Sequence, residues 1–116
     1  MPLVYKICPR DLWREAEAAG RFTGAPIDHA DGFIHFSTAA QVAETAARHF
    51  AGQDDLLLVS VDGERLGTAL RYEPSRGGDL FPHLYGELPL SAVVDIVEMP
   101  LGADGAHRLP EGIAPR

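Results

Sequence analysis

A single cysteine, Cys8, stands among the 116 residues, so no disulfide can form within the chain and the fold rests on packing. Long apolar runs are missing. None approaches the ~18 residues that a membrane helix needs, and no membrane partner is expected. The N-terminus also lacks the basic-then-apolar pattern of a secretory leader, which makes the cytoplasm the expected location. Basic residues are scarce: ten Lys and Arg face 17 Asp and Glu, for a net charge of −7 and a pI near 5.0. Such a chain repels phosphate backbones, so non-specific nucleic-acid binding is not expected. A small nucleotide remains open as a ligand, because a pocket can be basic inside an acidic protein. No G-x-S-x-G elbow, Walker A loop or G-x-G-x-x-G fingerprint occurs. The spacing of Asp28, His29, Asp31 and His35 matches no standard ligand pattern, and no metal site is expected.

What is present suffices for one globular unit. Hydrophobic residues make up 46% of the chain and charged residues 23%, ordinary values for a domain that buries roughly two-thirds of its unfolded surface. The expected organisation is a single α+β domain over residues 3–101, followed by a loosely packed tail over 102–116, rich in Gly, Ala and Pro.

Leu3 to Cys8 reads as a first strand, closed by Pro9. Leu12, Ala16 and Ala19 recur at helical spacing over 11–19, with Trp13 anchoring the helix and Gly20 ending it. Arg21 to Asp31 reads as an irregular loop. Phe33 to Phe36 is a short strand running into a helix over 38–51, with Thr38 and Gln41 forming a capping box. Leu56 to Val61, uninterrupted in its apolar character, implies a strand buried on both faces. Further strands are expected over Thr68 to Glu73 and Ala92 to Met99. The segment Leu80 to Gly86 is aromatic and apolar, but Pro82 argues against a central strand and for an ordered loop or edge. The two principal helices therefore pack on small, mostly antiparallel sheets.

Candidate chemistry gathers in two aromatic segments. His35 sits among Phe33, Ile34 and Phe36, where alternation sets it opposite Ile34 and Phe36. His83 sits among Phe81, Leu84 and Tyr85. A ring nitrogen in such company needs a partner or a cavity. One shared cleft would serve both rings, as would two separate backbone-bonded sites in the core. Ser37 and Thr38 lie at a strand-to-helix junction, where free N–H groups can hold a phosphate or simply be capped. Glu73, Glu87 and Glu98 are the acidic candidates, each with a solvated surface role as the alternative. Cys8 reads as a buried small hydrophobe.

The run Gly32 to Thr38 with Gln41, followed by Phe81 to Gly86 and Leu88-Pro89-Leu90, resembles the paired motifs of a small bacterial family of unknown function. Trp13 and Tyr72-Glu73 fit it too, and the likeness covers roughly residues 3–99. That family's fold is similar to ADP-ribosyltransferases and RNA 2′-phosphotransferases, which bind NAD in a cleft between two small sheets. The resemblance implies an ADP-ribosyltransferase-like α+β fold, with NAD as one candidate cofactor. It implies His35 and His83 as catalytic residues, and Tyr5, Lys6, Ser37, Thr38 and Tyr85 as ligand-binding ones. The chain departs from the family in carrying Lys6 where a His is usual, and in Glu87, where relatives favour Pro. Two functions follow. One is an enzyme acting on NAD or a related phosphorylated nucleotide. The other is a non-catalytic small-molecule sensor on the same scaffold.

Overall fold

A computed structural model of the chain describes residues 3–113, with the backbone alone for Arg76. Its longest strand pair joins β1 (Leu3–Pro9) to β4 (Leu56–Asp62), and β4 also pairs with β8 (Val93–Glu98), giving a three-stranded sheet in the order β1-β4-β8. Both pairings are antiparallel, with Leu3 opposite Asp62 and Pro9 opposite Leu56. Every residue of the central strand β4 is buried, as its continuous apolar run implies. Alternation splits that strand between two cores. Leu57, Val59 and Val61 pack with Val4, Trp13, Phe22 and Ile34. Leu56 and Leu58 pack on the other side with Tyr5, Ile7, Val42 and Met99.

Helix α1 (Arg10–Ala19) crosses the first core and buries Trp13 and Ala16. Gly20 ends it at φ 86°, returning its N–H to the Ala16 carbonyl at 2.9 Å, a turn that favours glycine. Residues 21–31, expected to be irregular throughout, are so only over 23–25 and otherwise hold two short elements. Strand β2 (Arg21–Phe22) is followed by a short helix α2 (Pro26–Asp31). Pro26 opens α2 and Gly32 closes it at φ 87°, the usual asymmetry of helix ends. β2 pairs with β7 (Leu88–Pro89) in a separate two-stranded ribbon.

The second three-stranded sheet has the order β3-β6-β5, from Ile34–His35, Leu80–Leu84 and Leu70–Pro74. β6 is thus central, against the expectation drawn from Pro82. The reason is local. In an antiparallel strand the nitrogen and oxygen of one residue face the same neighbour. The Pro82 oxygen accepts the Phe36 N–H at 2.9 Å, so the missing donor faces the point where β3 has just ended. Phe36 leaves the ladder there, and Ser37 bonds Tyr5 of β1 instead, N–H to carbonyl in both directions at 2.8 Å. Residues 34–37 therefore stitch the two sheets together.

Helix α3 (Val42–His49) begins four residues later than expected, and Thr38 does not cap it. Residues 38–41 form a turn in which the Gln41 side chain accepts the Thr38 N–H at 3.0 Å, one arm of the expected box. The stretch 63–69 is 3-10 helix, which moves the start of β5 to Leu70. Beyond β8 the chain folds back more closely than its composition suggests. Leu101 bridges His107, and Ile113 is buried in the second core. The last part of the expected tail, residues 114–116, lies outside the described residues. Among the described residues no helix is long and apolar enough to cross a membrane.

Candidate functional site

The 34–37 stitch turns the polar edges of both sheets toward one cleft of about 490 Å³, with Tyr5, Lys6, His35, Ser37 and His83 in its walls. Register brings the two histidines together. His35 lies directly opposite His83 in the β3–β6 ladder, and their rings stand 5.6 Å apart, edge to face. Alternation sends Ile34 and Leu84 into the core and both imidazoles to the other face.

His35 belongs to a buried charge network centred on Asp28, which is 2% exposed. Asp28 contacts the Lys6 ammonium through both oxygens, at 3.1 and 2.9 Å. It also accepts the N–H groups of Ala25 at 2.7 Å and His35 at 3.1 Å. Its Oδ1 meets the His35 ring Nδ1 at 2.6 Å. Burial alone would raise the Asp28 pKa. The bond from His35, the Lys6 charge and the Ala25 amide outweigh it and bring the group down to about 2. Burial pulls the Lys6 ammonium below its ordinary value, with Asp28 opposing. The other His35 nitrogen, Nε2, faces Asp31 Oδ2 at 2.9 Å. Both contacts are hydrogen bonds at once only when each nitrogen carries a proton.

His83, 5% exposed, is held differently. Its Nδ1 lies 2.7 Å from Glu73 Oε1, and that oxygen also accepts the Tyr85 hydroxyl at 2.8 Å. These bonds, from His83 first and then Tyr85, hold the Glu73 carboxyl below the usual range, and the same contact raises the Tyr85 phenol. Phe33 stacks on His83 at 4.0 Å and reaches His35 at 4.6 Å and Tyr85 at 5.3 Å. Nε2 of His83 has no protein partner among the described residues.

Neither Tyr85 nor Thr38 is in the cleft wall; Tyr85 is tied to His83 through Glu73 and Phe33. Of the acidic candidates, Glu73 alone is at the site. Glu87 pairs with Arg21 at 3.2 Å and Glu98 with Arg10 at 3.1 Å on the surface. Asp28, Asp31 and His35 do meet, yet the described residues contain no group arranged to hold a metal ion. Cys8 is fully buried and its thiol is pushed up to about 12 by burial, an inert group. Sequence reasoning missed Asp28 as the hub. The available signal was Pro26 and Gly32 bracketing a helix, which sets Asp28 in its first turn.

The family described as "Protein of unknown function (DUF952)" matches residues 7–96. Among solved structures, the X-ray structure of protein CC0527 from Caulobacter crescentus is 49% identical, covering 91% of this chain and 93% of that one with a TM-score of 0.88. The solution NMR structure of CC0527 is 50% identical over 91% of each chain, with a TM-score of 0.82. No curated protein matches. The chain belongs to the DUF952 family.

Proposed function

We propose that this member of the DUF952 family is an enzyme that binds NAD or a related phosphorylated nucleotide in the cleft and uses His83 as its general acid–base. The observation that carries the reading is the His83–Glu73 pair, with Nδ1 on a carboxylate and Nε2 without a protein partner among the described residues. A carboxylate behind one imidazole nitrogen fixes the tautomer, so the other nitrogen presents a lone pair when neutral and donates a proton when charged. His35, with carboxylates on both nitrogens, acts here as a positioning residue that keeps α2 against β3. The wall mixes rings (Tyr5, Phe36, Phe81) with hydroxyls (Ser37, Thr45, Ser75), a combination suited to a base and a ribose. The cleft volume lies in the usual range for small-molecule sites, roughly 300–1,000 Å³. Resemblance to ADP-ribosyltransferases adds NAD as the first candidate and ribosyl or phosphoryl transfer as the reaction class, by analogy of fold.

A thermal-shift series with NAD, ADP-ribose and mononucleotides tests the binding. A ligand at a hundredfold excess over its Kd adds about 2.7 kcal/mol to stability. His83→Gln should abolish turnover of any ligand so found, while Ser91→Ala, outside the cleft wall, should not. Binding without turnover in the native protein would leave the second reading, a non-catalytic sensor. No stabilisation by any of these compounds would remove the nucleotide reading.

A further inference from the structure

Arg71 is the anomaly in the charge distribution of this chain. With 17 acidic residues against ten basic ones, cations have carboxylates in reach. Every other Lys or Arg whose side chain is described has one within 4.0 Å, at 2.6 to 3.5 Å. Among the described residues Arg71 has none. Its guanidinium lies instead over the Tyr85 ring, 5.4 Å from the centroid. Glu73, two residues along the same strand face, feels the Arg71 charge but makes no ion pair with it within 4.0 Å, and commits its Oε1 to His83 and Tyr85.

Place matters as much as pairing. Arg71 is directly opposite His83 in the β5–β6 ladder, so both side chains leave the sheet on one face. Along that face run His35, His83, Tyr85 and Arg71, from the cleft outward to β5, the edge strand. A guanidinium stacked on an aromatic ring loses little further freedom when it binds, and its planar fork matches an oxyanion.

We propose that Arg71 is the oxyanion-binding residue of the site. It takes a phosphate of the ligand at the cleft rim, so that the uncharged part of the ligand enters toward His83. This inference rests on the nucleotide reading above for the identity of the ligand. It also sets an orientation that the reading lacked: phosphate outside, nucleoside inside. A neutral nucleoside should therefore bind the same cleft more weakly than its phosphate ester, and Arg71 should account for the difference.

The test uses the full chain and three probes: inorganic phosphate, adenosine monophosphate and adenosine. Phosphate titrated against the native protein should move the Arg71 Nε–H resonance saturably in heteronuclear NMR. Adenosine monophosphate should bind about tenfold or more tighter than adenosine, the range expected for a hydrogen bond to a charged group. Arg71→Gln should erase that preference and leave adenosine binding unchanged. Arg71→Lys, which keeps charge but not the fork, should restore only part of it. Arg71 is exposed, so an unchanged melting temperature in both variants confirms folding. An Arg71 resonance that neither phosphate nor the nucleotide moves overturns the proposal, as does a nucleotide preference that survives Arg71→Gln. If phosphate moves Arg71 while neither adenosine compound binds, the nucleotide reading of the cleft fails and the oxyanion role of Arg71 stands.

Discussion

Asp28 concentrates more of the site's electrostatics than any other residue, and those contacts set how the fold responds to acid. Its folded pKa is lowered from the ordinary 3.8 to about 2. A depressed carboxylate contributes stability that is present above the unfolded value and lost as pH falls through the folded one. The window is therefore from about pH 4 down to about pH 2, and the contribution is roughly 2 kcal/mol. Asp28→Asn should remove this acid limb. At neutral pH it should also cost about 3–5 kcal/mol, because Lys6 would be left buried without its counter-ion. Urea denaturation across that pH range measures both effects. A variant as stable as the native protein at pH 7 would mean that Lys6 finds another partner. The histidines were legible because an imidazole inside an aromatic strand is conspicuous. Asp28 was not, since a carboxylate between turn residues usually faces water, and only the helix over 26–31 turns it inward.

At the scale of elements, the junction between α3 and β6 shows what local rules miss. Thr38 and Gln41 have the spacing of a capping box, yet the helix starts at Val42 and Gln41 does the joining. Its carbonyl oxygen takes the Thr38 N–H at 3.0 Å and its amide nitrogen donates to the Leu80 carbonyl at 2.8 Å. The second bond ties the turn to β6, across 39 residues of sequence. Thr38→Ala, which a capping role would make costly by about 1 kcal/mol, should instead stay within about 0.5 kcal/mol. Gln41→Ala should cost roughly 1–2 kcal/mol for two lost hydrogen bonds. Chemical denaturation of the two variants checks the ranking, and the reverse order would restore Thr38 as the cap. The same limit explains β6. A proline excludes a central strand only if both neighbours continue past it, and the end of β3 at His35 was invisible in the sequence. β1, β4 and α1 were legible because their patterns are long and need no such neighbour.

On the scale of the whole molecule, the sheet β1-β4-β8 has to be covered twice. One face is closed by α1 and the second sheet, the other by α3 together with the returning chain after β8. That return is built, not draped. His107 lies 2.7 Å from the Gln53 carbonyl, Arg108 donates its backbone N–H to Pro100, and Leu109 and Ile113 pack on the core that holds Leu56, Leu58 and Met99. Composition alone marks residues 102–116 as a loose tail, because Gly, Ala and Pro make up about half of it and only scattered large apolar residues remain. Those few do the anchoring. Burying a side chain such as isoleucine or leucine contributes about 1.5–3 kcal/mol each relative to exposure, and cutting the chain after Leu101 would also uncover part of Met99, which is fully buried. The truncated protein should therefore lose roughly 2–5 kcal/mol of stability, and Ile113→Ala alone about 2 kcal/mol or more. Tyr5 belongs to that same core and to the cleft wall, so the loss reaches the site. In the truncated protein, backbone amide exchange at Tyr5 and Ser37, whose paired bonds join the sheets, should accelerate along with that of β4. Unchanged exchange at those two amides, with stability equally unchanged, would show that the second face of the sheet closes without the returning chain.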